Sequence, residues 1–207
     1  MELELATAAF VTLFVIIDPI GLSPLFVALT TGKSAAQRRG IAVRAVLTGM
    51  AILTVFGLFG EWLLTKIGIG MPAFRISGGL LLFLTAIEML FEKRTPRREK
   101  TADEDDSADP AIFPLAMPLI AGPGAMTSMI LLMGQYSGNI TAQIAVYAVM
   151  LSVLLIVFLF FLTAGAMERA LGHTGINLVT RLMGMFLAAL SVQFVLDGLR
   201  DYGLFGL

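Results

Sequence analysis

Apolar residues do not alternate with polar ones along this chain; they gather in long blocks divided by short polar interruptions. A block of about 20 apolar residues is the length that crosses a bilayer as a helix. Read this way, the pattern predicts six spans, roughly 6–30, 41–62, 72–92, 111–134, 142–167 and 177–198. The longest block, Pro110 to Met167, holds no charged residue, and GQYSGN (Gly134 to Asn139) is the turn that divides it. The segment EKRTPRREKTADEDDSADP, basic and then acidic and poor in apolar residues, predicts a loop over 93–110 between two halves, 6–92 and 111–198.

Composition agrees. Of 207 residues, 57% are hydrophobic and 14% charged, against about 25% charged in a soluble domain, so the class is a polytopic membrane protein. Without cysteine, disulfides and thiolate metal sites are excluded. The opening MELELATAAF lacks the basic start of a cleaved signal peptide, so the first block is expected to stay as a helix. With six spans, the linkers 31–40, 93–110 and 168–176 share one side and carry Lys33, Arg38, Arg39, Lys93, Arg94, Arg97, Arg98, Lys100 and Arg169. Lys66 and Arg200 are nearly all that the other side receives. Basic loops stay in the cytoplasm, which predicts both termini outside.

Only one charged residue, Asp18, lies between Leu5 and Gly32. A carboxylate at bilayer mid-depth costs several kcal/mol (about 3 on the mildest scale) and therefore faces a cavity or a partner. Pro19, Gly21, Ser23 and Pro24 follow it. Proline removes a backbone donor and glycine tolerates non-helical dihedrals, so the first span is expected to break here. Broken backbone at membrane depth survives where it is buried in protein or lines a polar cavity.

The chain also repeats itself. Pro19 and Pro24 recur as Pro118 and Pro123, at an offset of 99. EWLLTKIGI (Glu61 to Ile69) matches ERALGHTGI (Glu168 to Ile176) at 107, and RISGGLLLFLT (Arg75 to Thr85) matches RLMGMFLAALS (Arg181 to Ser191) at 106. A unit of three spans inserts its second copy upside down. The expected fold is all-α, with six transmembrane helices in a three-plus-three inverted repeat and the first and fourth helices broken at mid-membrane. Such a pattern points to a secondary transporter.

FVIIDPIGLSPLF in the first half and PLAMPLIAGPGAMTSMI in the second resemble the MarC family of bacterial and archaeal inner-membrane proteins, which includes small neutral amino-acid transporters of the SnatA type. The resemblance covers nearly the whole chain. It implies six helices, the inverted repeat, a site between the two broken helices and a place in the cytoplasmic (inner) membrane.

In the second half, Pro118, Gly122, Pro123 and Gly124 interrupt the fourth span, and Met117 stands where the repeat has Asp18. A half-helix N-terminus suits a substrate carboxylate. Asp18 and freed carbonyls suit an ammonium group, and Ser23, Thr127 and Ser128 can add hydroxyl contacts. A small zwitterion such as glycine or alanine satisfies both ends, and Asp18 is the candidate proton carrier. A membrane-embedded enzyme needs several reactive groups at depth, and only Asp18 qualifies. A passive channel would show rings of like groups; a non-transporting partner protein is the other alternative. No cofactor, metal or nucleic acid is indicated, and a homo-oligomer is compatible. Bland readings go to Gly57, Gly60, Gly78 and Gly79 (helix packing), Glu61–Arg75 and Glu168–Arg181 (structural pairs), Glu88 and Glu92 (interfacial pairing with Arg44 and Lys93) and His173 (a loop residue). Gln193 could face the site or another helix.

Overall fold

The computed structural model of the chain describes residues 2–91 and 109–203. All its regular elements there are helical: α1 (Glu2–Ile17), α2 (Pro19–Leu29), α3 (Ala35–Lys66), α4 (Met71–Leu90), α5 (Ala111–Ile120), α6 (Pro123–Gln135) and α7 (Ile140–Asp201). Five stretches are long and apolar enough to cross a membrane singly, and there are six if α5 and α6, bent by 54° at their break, are counted as one span. Of the expected 93–110 loop, all but Asp109 and Pro110 lies outside the described residues, with Glu92, Lys93, Arg94, Arg97, Arg98 and Lys100.

Two boundaries differ from the hydropathy pattern, each for a local reason. The 31–40 linker is shorter than expected because Ser34 and Gln37 cap α3 reciprocally. The Ser34 Oγ accepts from the Gln37 N–H (3.3 Å), and the Gln37 Oε1 accepts from the Ser34 N–H (2.8 Å). Arg38 and Arg39 therefore sit in the first turns of α3, where the Arg38 Nε donates to the Thr30 Oγ1 (3.0 Å). Nor is 168–176 a loop. Helix continues through it and changes direction only where Gly172 takes φ 62° and ψ 172°, leaving arms Ile140–Met167 and Thr174–Asp201. The side chains of Glu168 and His173 lie outside the described residues, and the Glu168–Arg181 pairing with them.

Glycines set how closely the helices approach. The second arm of α7 lies antiparallel on α4. A Cβ at Gly79 would come 2.8 Å from the Ser191 carbonyl, one at Gly184 2.9 Å from the Met89 Cβ, and one at Gly198 2.9 Å from the Pro72 carbonyl. Backbones that approach so closely supply the dispersion contact that holds helices together in lipid, where no hydrophobic force does so. On the other side, α6 runs beside α3, with Gly57 under Met129 and Gly60 under Ile130. The α1–α2 pair packs on α7, and the α5–α6 pair on α3 and α4. Val55, Leu58, Phe59, Leu84, Leu155 and Phe186 stand more than half exposed, the surface that lipid covers.

Ion pairs sit near helix ends, and one differs from expectation. Arg75 pairs with Asp201 (2.6 Å) and not with Glu61, because the antiparallel α4–α7 seam brings the end of α7 to the start of α4. Arg44 pairs with Asp109 (3.1 Å), at the foot of α5. Gln193 turns to its own helix, donating to the Asp197 Oδ1 (2.9 Å).

Candidate functional site

The chain departs from helix at two places deep in the bundle, and they are built differently. At the first, a single residue intervenes between α1 and α2. Asp18 adopts φ 55° and ψ 66°, the left-handed region that aspartate tolerates better than most residues. Its N–H still donates to the Phe14 carbonyl (2.9 Å), and its carbonyl receives the Leu22 N–H (3.0 Å). The carboxylate turns onto the next turn, where the Oδ1 accepts from the Gly21 N–H (3.1 Å). Asp18 is thus the N-cap of α2, and Pro19 fills the first helical position, where a missing N–H costs nothing.

Packing keeps this cap closed. Asp18 is 1% exposed, and a Cβ at Gly21 would overlap its carboxylate, so glycine is what lets the side chain lie down on the helix. Ser23 is also buried, its Oγ donating back to the Pro19 carbonyl (2.9 Å). Pro24 stays inside α2, where it supplies no N–H to the Ile20 carbonyl. The expected unwinding across Pro19 to Pro24 is therefore confined to Asp18, because the carboxylate replaces the lost helical acceptor within one turn.

The second departure is longer. Phe113 (φ −125°, ψ 124°) and Met117 (φ −131°, ψ 123°) are extended, each before a proline, as proline's ring requires of the residue it follows. The Phe113–Pro114 and Met117–Pro118 bonds are both cis. Wide turns close around them: the Ala121 N–H reaches back five residues to the Ala116 carbonyl (2.9 Å). Gly122 then begins α6 with no side-chain cap, followed by Pro123 at the first helical position. The first α6 bond runs from the Met126 N–H to the Gly122 carbonyl (3.0 Å), so the Gly124 and Ala125 N–H groups precede any helical acceptor. A Cβ at Gly122 would overlap the Pro118 carbonyl, which leaves no room there for a capping side chain.

A cavity of about 410 Å³ opens against this uncapped end. Pro114, Pro118, Gly122, Pro123, Gly124 and Ala125 form one wall; Leu81, Leu82, Leu84, Thr85 and Glu88 of α4 form the other, with Ile16 at its base. Three helices meet at Gly124, where a Cβ would lie 2.7 Å from the Leu82 Cδ2 and 3.3 Å from the Ile16 Cγ2. One wall thus offers backbone donors and the positive end of a helix dipole, and the facing wall a carboxylate and a hydroxyl. That polarity suits a ligand carrying both charges.

The expected site residues divide accordingly. Pro118, Gly122, Pro123 and Gly124 line the cavity; Asp18, Pro19, Gly21, Ser23, Pro24 and Thr127 do not. Thr127 is buried with its methyl against Gly78, and the Ser128 Oγ is buried with no hydrogen-bond partner among the described residues. Sequence reasoning missed Thr85 and Glu88. A lone glutamate in a helix's last turns reads as interfacial until the fold shows which helix it faces.

Fold and sequence together define a multi-pass α-helical integral membrane protein, and the chain belongs to the MarC family. The family model described as "MarC family integral membrane protein" matches residues 3–202. Similar proteins include the UPF0056 membrane protein MJ1677 of Methanocaldococcus jannaschii, 37% identical over 97% of this chain and 98% of its own. A UPF0056 membrane protein of Aquifex aeolicus is 37% identical over 93% and 91% of the two chains, and YvbG of Bacillus subtilis 35% identical over 92% of each. No solved structure matches the chain.

Proposed function

We propose that the protein is a secondary transporter of small neutral amino acids such as glycine or alanine, and that the cavity at the start of α6 is its substrate site. The observation that carries this reading is the pairing, across one cavity, of an uncapped helix N-terminus with Glu88. The substrate carboxylate sits at the Gly124 and Ala125 N–H groups and the ammonium group toward Glu88, with Thr85 between. A volume of about 410 Å³ falls at the small end of the roughly 300–1,000 Å³ of ligand sites, which favours small side chains.

An inverted repeat, as the sequence matches suggest it, favours carrier action over enzyme or channel. Its two aligned helices, α4 and the second arm of α7, pack on one another antiparallel, as partners about a twofold axis in the membrane plane would. By the positive-inside rule the basic stretch between α4 and α5 faces the cytoplasm, which would put the Glu88 end of the cavity nearer that side.

Counterflow tests this directly. Proteoliposomes preloaded with unlabelled alanine should accumulate labelled alanine transiently above equilibrium, which a carrier does and a channel does not. Failure of glycine, alanine and serine alike to show counterflow, with and without a pH gradient, would remove the amino-acid reading.

A further inference from the structure

The α6 cavity has a polar end and an apolar floor, and one face of α4 supplies both. Leu82, Thr85 and Glu88 follow one another at intervals of three, the spacing that aligns side chains along a helix surface. The Thr85 Oγ1 donates to the Leu81 carbonyl (3.1 Å), so its one hydrogen is engaged and lone pairs are what it presents to the cavity. A carboxylate beside an accepting hydroxyl suits a donor, which sets the ammonium group at this end.

The substrate carboxylate then lies at the Gly124 and Ala125 N–H groups, and the side chain leaves from the carbon between the two charged ends, beside Gly124. The surroundings there are aliphatic. The Leu82 Cδ2 and the Ile16 Cγ2 lie 2.7 and 3.3 Å from where a Gly124 Cβ would stand. Leu82 is fully buried and Ile16 nearly so, so the floor is backed by packed protein. Ile16 is β-branched and stiff, whereas Leu82 meets Gly124 with the movable end of its side chain.

We propose that Leu82 is the specificity-determining residue of the site: braced by Ile16, it sets the length of side chain that the cavity accepts. This rests on the transporter reading and deepens it. A close-packed wall discriminates by volume, because an added methylene either strains the wall or lifts the charged ends from their partners. Each methylene in such a pocket changes selectivity about tenfold or more. Shortening Leu82 to alanine opens apolar space under the floor, which the branched side chain of leucine can fill and that of alanine cannot.

Calorimetric titration of the purified protein with alanine, valine and leucine in turn tests this. Wild type should bind alanine at least about tenfold more tightly than leucine. Leu82→Ala should raise the affinity for leucine relative to alanine by about tenfold; Leu82→Val, a milder truncation should the first fail to fold, should favour valine by a smaller factor. Leu53→Ala removes the same atoms from an equally buried position in α3, away from the cavity, and should leave the ratios as they are. Unchanged ratios in the Leu82 variants with alanine still bound, or an equal shift in Leu53→Ala, overturn the proposal and leave the transporter reading standing. Wild type that binds leucine as tightly as alanine overturns it without any variant. Wild type that binds none of the three overturns both.

Discussion

The two helix breaks begin from the same problem, a helix that must start again inside a membrane with its first N–H groups unanswered. At Asp18 the chain answers it internally with a carboxylate on the Gly21 N–H, and the break occupies one residue. At Gly122 it does not. The Pro118 carbonyl fills the space a cap would need, and the donors face a cavity instead. A helix start that caps itself is structural in the conformation where it does so; one that is denied a cap is available to a ligand. The residue most conspicuous in the sequence is therefore not the one at the open site.

This contrast can be broken in order of expected effect. Gly124→Val places two methyls where α6, α4 and α1 meet and should abolish counterflow, by at least about 100-fold, in protein that remains monodisperse. Because the nearest obstacle is the movable end of Leu82, adding Leu82→Ala should restore part of the activity. If Gly124→Val transports normally, the cavity is not the site. Glu88→Gln should raise KM about tenfold, since it weakens the charge-assisted contact proposed for the ammonium end. An unchanged KM would remove Glu88 from the ammonium end.

The first break should respond in stability. Asp18→Asn keeps a capping oxygen and tolerates the left-handed backbone, so its melting temperature should stay near wild type; Asp18→Ala loses both and should cost about 2 kcal/mol. Equal stabilities would mean that the Gly21 contact contributes nothing. The smallest effect belongs to Ser128→Ala, which deletes a buried hydroxyl with no partner among the described residues and should leave stability unchanged or raise it by about 1 kcal/mol. A marked loss would show that Ser128 has a partner in another state.

The membrane class, the all-helical fold and at least five of the spans were legible because they depend on local chemistry, apolar block length above all, and the departures from helical geometry at Asp18 and at Phe113 and Met117 fall beside the prolines that mark them in the sequence. What was not legible depends on neighbours. The Pro19/Pro24 to Pro118/Pro123 match gives an offset of 99, whereas the helix starts correspond at 104, because Pro118 belongs to the wide-turned α5 and only Pro123 to a helix start. That slip paired Asp18 with Met117 and hid its correspondence to Gly122. Glu88 was read at an interface with Arg44, and only the packing of α4 on α6, through Gly78 and Leu82, turns it toward the site. Nor does a composition rule show that Asp18 would spend its carboxylate on its own helix.

The most direct test of the α6 cavity as the proposed substrate site uses one position on its wall. Thr85→Cys proteoliposomes should show alanine counterflow comparable to wild type, and full modification of that thiol by a bulky maleimide should abolish it, with alanine at saturating concentration slowing the modification. Counterflow that persists unchanged after complete modification would contradict the account and place the substrate path elsewhere in the bundle.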